Sequence, residues 1–239
     1  MGFESLRQSL LAGERVVAFT RADAELGARL LVWPDDGRSE GTLTDPDLDR
    51  AAAALATADP LPATGLREIA GAEVFVETFE PLPQLFIVGA VHVAIHLVHF
   101  ARRLGFRTVV VDARSAFATA ERFPHADELV VEWPADYLSR VPLHVNTFCV
   151  FLTHDEKLDN PALGVVLEAG VRYVGALGSK RTHGKRVAAL REAGLSPELI
   201  DRIHAPIGLD LGGRKPEEIA LAIAAELVAV RNGSAASGR

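Results

Sequence analysis

The rhythm of apolar and polar positions changes near Pro83. Before it, short apolar stretches are broken by turn residues, and after it, apolar runs of strand length alternate with helix-length amphipathic segments. The later runs are Leu85 to Val88, Thr108 to Val111, Leu129 to Val131, Phe148 to Leu152 and Arg172 to Val174. This alternation predicts βαβ units around a parallel sheet, that is, an α/β domain of Rossmann type. Between the first two runs, Val93, Leu97, Phe100 or Ala101, and Leu104 recur at helical spacing, Arg102 and Arg103 fall on the wet side, and Gly105 ends the helix. Further helices are predicted from Pro161 to Glu168, from Ser179 to Ala193 with Gly194 as terminator, and from Pro216 to Val230 with acidic residues at its positive end.

The first third predicts a small α+β domain over residues 1–80. Val16 to Phe19 and Arg29 to Trp33 read as strands, and Pro34-Asp35-Asp36-Gly37 as a hairpin or tight return. Asp45, Pro46 and the alanine-rich run from Leu48 to Ala58 combine an N-cap, a first-turn proline and strong helix formers. Glu73 to Phe79 alternates like a strand with one wet face, and Pro81 and Pro83 stiffen the chain where a domain boundary is expected. The Rossmann-like domain is then expected over 84–231, followed by a disordered, small-residue tail over 232–239.

Composition narrows the functional classes. With 49% hydrophobic and 24% charged residues in 239, the chain has the balance of a soluble globular protein. Its net charge of -7 disfavours nucleic acid as a partner, since phosphate neutralisation needs excess Lys and Arg. Cys149 is the only cysteine, so a disulfide framework and a thiolate zinc site are excluded, and a reducing cytoplasm is the expected location. No signal sequence or membrane span is expected, and no histidine pair has zinc spacing, so no metal is assigned.

Polar chemistry gathers where these strands end. Gly89-Ala90-Val91-His92-Val93-Ala94 follows the first run in the place of a dinucleotide-binding turn, with Asp112 ending the second run where a ribose hydroxyl is usually gripped. The middle glycine of that turn is Val91, whose side chain would crowd a pyrophosphate. Thr153-His154-Asp155 closes the fourth run with Asp159 close behind, offering proton transfer by His154 with a neighbouring carboxylate to orient it, or simple helix capping by an aspartate. Gly175-Ala176-Leu177-Gly178-Ser179-Lys180-Arg181 leads into a helix, and its amides, hydroxyl and two cations suit an anion. A loop containing Gly208 and Asp210 is expected to return over the pocket with Asp210 facing inward.

Together these motifs resemble the XdhC/CoxI family of accessory proteins for molybdenum hydroxylases. The matching pieces are the Gly89 to Ala94 turn, Val111-Asp112 with Arg114, Arg122-Phe123-Pro124, Thr153-His154-Asp155 with Asp159, Tyr173 to Ser179, Ala205 to Asp210, and Pro216 to Ala220 with Glu226. The resemblance implies a cytoplasmic chaperone, expected as a homodimer. Such a protein binds the molybdopterin cofactor, assists its sulfuration by a cysteine desulfurase, and delivers it to an apo-hydroxylase. Two departures stand out: Val91 replaces a family glycine, and Gly41 to Asp45 stands where a glycine-rich cysteine segment is expected.

On this reading, the cofactor-binding candidates are Gly89, His92, Asp112, Thr153, His154, Asp159, Gly175, Gly178, Ser179, Lys180, Arg181, Gly208 and Asp210, with His154 and Asp155 as catalytic candidates. Two other functions stay open. One is an NAD(P)-dependent oxidoreductase using the Gly89 turn and Asp112, and the other a non-catalytic partner protein whose pocket has decayed.

Overall fold

A computed structural model describes residues 2–22, 28–58 and 61–234. Residues 235–239 of the expected disordered tail lie outside the described residues. The chain divides into two compact units, Met1–Pro81 and Leu82–Arg239.

The first unit contains α1 (Gly2–Leu11), β1 (Val16–Arg21), β2 (Arg29–Val32), β3 (Ser39–Thr42), α2 (Pro46–Ala56), β4 (Gly65–Ile69) and β5 (Ala72–Phe79). Its strands form an antiparallel sheet in the order β3-β2-β1-β5-β4. The 34–37 turn is a true hairpin, with Val32 paired to Ser39. Alternation along β1 sends Val17 and Phe19 into one core with Leu48 and Ala52 of α2, and Val16 and Ala18 into another with Leu6 and Trp33. Asp45 caps α2 by accepting from the Asp47 and Leu48 amides, with Pro46 next in the chain. Neither α1 nor the exposed strands β3 and β4 follows from the sequence reading.

The second unit holds β6 (Gln84–Val88), α3 (His92–Arg103), β7 (Arg107–Val111), β8 (Glu128–Val130), α4 (Pro134–Leu138), β9 (Thr147–Phe151), α5 (Glu156–Glu168), β10 (Tyr173–Ala176), α6 (Lys180–Glu192), α7 (Pro197–Ile200), β11 (Ile203–His204) and α8 (Pro216–Arg231). The sheet runs β11-β10-β9-β6-β7-β8, all pairs parallel. In chain order this is 3-2-1-4-5-6, the Rossmann arrangement, and the strand order reverses between β6 and β9. Both faces are covered. Leu85 and Ile87 pack with α3 and α8 through Leu97, Ile223 and Leu227, whereas Phe86 and Val88 pack with α5 through Leu163, Val166 and Leu167. A fully buried Leu or Phe contributes about 1.5–3 kcal/mol, so these two apolar layers, rather than any polar pair, hold the sheet.

One boundary corrects the sequence reading. Helix α5 begins at Glu156, five residues before the predicted start, and Pro161 lies inside it. The reason is the Asp155 side chain, which accepts from the Lys157 amide and fixes the N-terminus there. Pro161 then forfeits a single backbone bond near the helix start, which a helix packed this firmly tolerates.

Candidate functional site

The strand order reverses between β6 and β9, and sheets of this type hold ligands beyond the carboxyl ends of the strands at such a reversal. Gly89 makes the turn out of β6 at φ +107°, a conformation open to glycine. A Cβ there would come within 2.6 Å of Thr153 Cγ2, so the glycine also lets the two strand ends close on each other. Val91 stands at the N-cap of α3, and His92, the first helical residue, is exposed.

Asp112 follows β7 and is fully buried. Its Oδ2 accepts from the Ala90 amide at 2.8 Å and from Arg114 Nη2 at 2.8 Å, while Oδ1 accepts from Arg114 Nε at 2.9 Å and the Arg114 amide at 3.0 Å. Burial opposes its charge, but the hydrogen bonds from Arg114 and Ala90 outweigh that cost and hold the carboxyl below its ordinary range. The carboxylate expected to meet a ribose is thus spent on fixing the Gly89 turn and Arg114. What this corner presents outward is the Arg114 guanidinium, stacked 4.5 Å from the Phe117 ring centroid.

At the end of β9, buried Thr153 donates to Asp159 Oδ1 at 2.6 Å and accepts from the Asp155 amide at 3.1 Å. Asp155 is exposed and serves as the α5 cap, and His154 is exposed beside it. Asp159 is only 2% exposed. Burial drives its carboxyl up to about 7, against the Thr153 hydrogen bond and the charge of Arg186. Arg186 Nη2 lies 3.8 Å from Asp159 Oδ2 and donates to the Leu177 carbonyl at 3.1 Å. The guanidinium thereby ties the start of α5 to the turn that leads into α6.

That turn carries Gly178 and the α6 N-cap Ser179, whose hydroxyl accepts from the Thr182 amide at 3.2 Å. Lys180 and Arg181 follow, both exposed. Gly175 plays a different part from its neighbours. It is buried within β10, and a Cβ on it would lie 2.5 Å from both Ile207 Cδ1 and Tyr173 Oη, so it is a packing residue beneath the site.

The loop after β11 is anchored by a network beneath it. Glu226 of α8, 1% exposed, accepts from Tyr173 Oη at 2.6 Å and from the Gly208 amide at 2.7 Å, and pairs with His204 Nδ1 at 2.9 Å. Burial disfavours the Glu226 charge, yet the His204, Tyr173 and Gly208 bonds overcome this and bring its pKa down to about 2. Asp210 is exposed and accepts from the Gly212 amide at 3.2 Å, which shapes the loop tip.

Sequence reasoning passed over Arg186 and the Glu226 network as parts of the site. The available signal was periodicity: Arg186 occupies the inward stripe of α6 with Leu190 four residues on. Among the described residues, no group of three or more His, Cys, Asp or Glu side chains is placed to hold a metal ion, and no helix is long and apolar enough to cross a membrane.

Comparison with known proteins places the fold. A family model described as the XdhC Rossmann domain matches residues 85–227. A probable xanthine dehydrogenase subunit from Bacillus subtilis (strain 168) is 30% identical over 158 residues, which cover 66% of this chain and 46% of that protein. The molybdenum cofactor insertion chaperone PaoD of Escherichia coli (strain K12) is 38% identical over 89 residues, 37% of this chain and 28% of its own. This chain therefore spans less than half the length of these curated relatives. Among solved structures, a xanthine dehydrogenase from Bacillus halodurans aligns with a TM-score of 0.69 at 28% identity, covering 96% of this chain and 66% of the other.

Proposed function

Because this chain belongs to the XdhC Rossmann domain family, we propose that it is an accessory protein of a molybdenum hydroxylase that binds the phosphate-bearing molybdopterin cofactor as cargo beyond the strand ends, beside α6. One observation carries the reading: the start of α6 offers Ser179, Lys180 and Arg181 at the surface, at the positive end of a thirteen-residue helix that follows β10, the parallel neighbour of β9, after which exposed His154 comes. The name of the Escherichia coli relative, a molybdenum cofactor insertion chaperone, points the same way.

The residues present suit such a cargo in charge. The phosphate would meet the α6 amides, Lys180 and Arg181, and Arg114 would bring a third cation from the β7 corner. No thiolate takes part, since the lone Cys149 is fully buried and its burial pushes the thiol's pKa far up. In this reading the recipient is an apo-hydroxylase, a cysteine desulfurase supplies sulfur, and the chain acts in the cytoplasm as a homodimer.

A nicotinamide-dependent oxidoreductase is the weaker reading. The Ala90 amide and both Asp112 oxygens, which a dinucleotide would need, are already bonded within the protein. Titration of the purified chain with a molybdopterin preparation tests the proposal. The Lys180→Ala, Arg181→Ala double variant should bind about 30-fold more weakly, on the order of 2 kcal/mol for the lost charge-assisted contacts. Unchanged affinity would remove the cofactor from this helix start, and turnover of NAD(P) that His154→Ala depresses would favour the oxidoreductase.

A further inference from the structure

Arg186 has no part in that cargo site as drawn. It is 5% exposed, and its Nη1 is buried with no hydrogen-bond partner among the described residues. A buried guanidinium needs a counter-charge and acceptors for its donors. Here Nη2 reaches one carbonyl, and the carboxylate opposite is 3.8 Å away, an ion pair beyond hydrogen-bond length. The unfilled donor lies on the same side chain that bonds Leu177, two residues before the Ser179 cap. The guanidinium reaches back to the turn before α6, so an acceptor oxygen entering there, once the side chains enclosing Nη1 part, would complete it.

We propose that Arg186 and Asp159 form a proton-coupled oxyanion receptor: a phosphate-type oxygen docked at the α6 start takes Arg186 Nη1, and Asp159 binds a proton as its hold on the guanidinium is given up. The proposal rests on the anion site proposed above and adds to it a specificity residue and a pH dependence. Protons balance simply, one being taken from solvent by the Asp159 carboxylate as the anion enters.

The charges around Asp159 fit this exchange. Arg186 faces it from α6, Asp155 lies on its own segment, Arg114 approaches from beyond β7, and the Thr153 hydroxyl donates to Oδ1. Glu156 also acts on Arg186. Because burial already lifts the Asp159 carboxyl to about 7, uptake of a proton at neutral pH is within easy reach. Anion affinity should then be greatest below that value and fall as pH rises through it.

Sulfate is the informative probe, because its charge is constant near neutrality. Calorimetric titration of the full chain should give about tenfold weaker sulfate binding at pH 8 than at pH 6, and uptake of about 0.5 proton per sulfate at pH 7 when buffers of different ionisation enthalpy are compared. Asp159→Asn should keep the tight pH 6 affinity at pH 8. Arg186→Lys, which keeps the charge but not the second nitrogen of the guanidinium fork, should weaken sulfate about tenfold, and thermal melting of each variant verifies its fold.

Wild-type sulfate binding that the Lys180→Ala, Arg181→Ala pair weakens, but that is flat with pH and untouched by Arg186→Lys, overturns this inference and leaves the anion site standing. Failure of the wild type to bind either sulfate or inorganic phosphate overturns both.

Discussion

Removing one hydroxyl from the network under the 205–213 loop offers a sharp test of how that loop is held. Glu226 is anionic in a site where burial alone would neutralise it, because Tyr173, Gly208 and His204 all bond to it. Lowering a carboxyl from an ordinary 4.5 to about 2 corresponds to about 3 kcal/mol of stability. For a depressed carboxyl that stability is present in full above 4.5 and is lost as pH falls toward 2. About 2 kcal/mol of it should be gone by pH 3. With three groups sharing the effect, Tyr173→Phe should cost about 1–1.5 kcal/mol at neutral pH, and should move the Glu226 titration about tenfold in proton concentration, toward pH 3. Carbon-detected NMR of the Glu226 carboxyl reads the titration, and urea denaturation between pH 8 and pH 3 reads the stability. A carboxyl titrating in the ordinary range in the wild type, or one that ignores the loss of the hydroxyl, would refute the reasoning.

Two other substitutions probe the strand ends at the reversal. Gly89→Ala combines a disfavoured φ with a contact 2.6 Å from Thr153 Cγ2, and is expected to cost about 2–4 kcal/mol in urea denaturation. Asp112→Asn leaves donors from Ala90 and Arg114 facing an amide, so a loss of about 2–3 kcal/mol is expected, with the Gly89 turn the first region to gain amide hydrogen exchange.

The parallel sheet was legible because buried strands read as unbroken apolar runs, and α3 because Val93, Leu97 and Ala101 keep helical spacing. Strands β3 and β4 were not, since most of their residues are exposed and carry no apolar alternation. Helix α5 was misplaced because Pro161 looks like a first-turn residue, and only the Asp155 cap reveals the earlier start. At the site, the sequence places Thr153, Asp159 and the α6 start after successive apolar runs, and the structure links them through Arg186, which faces Asp159 and donates to the Leu177 carbonyl. The role of Arg186 was harder to read: its helical spacing from Leu190 marks the inward side of α6, but a long cation on an otherwise polar helix is ordinarily solvated, and its partners Asp159 and Leu177 come from other elements. Asp112 shows the reverse difficulty: its position was read correctly, but its partner Arg114, two residues on, decides what this corner presents outward.

Burial of Cys149 in the middle of β9 has a practical side. Alkylating reagents act on thiolates, and this sulfur is sealed in the apolar layer between the sheet and α5 and kept protonated. The native chain thus serves as a silent background for labelling. A cysteine introduced at exposed His154 or Asp210 would be the one position to take up a maleimide dye, and its fluorescence would report whether the proposed cargo binds there.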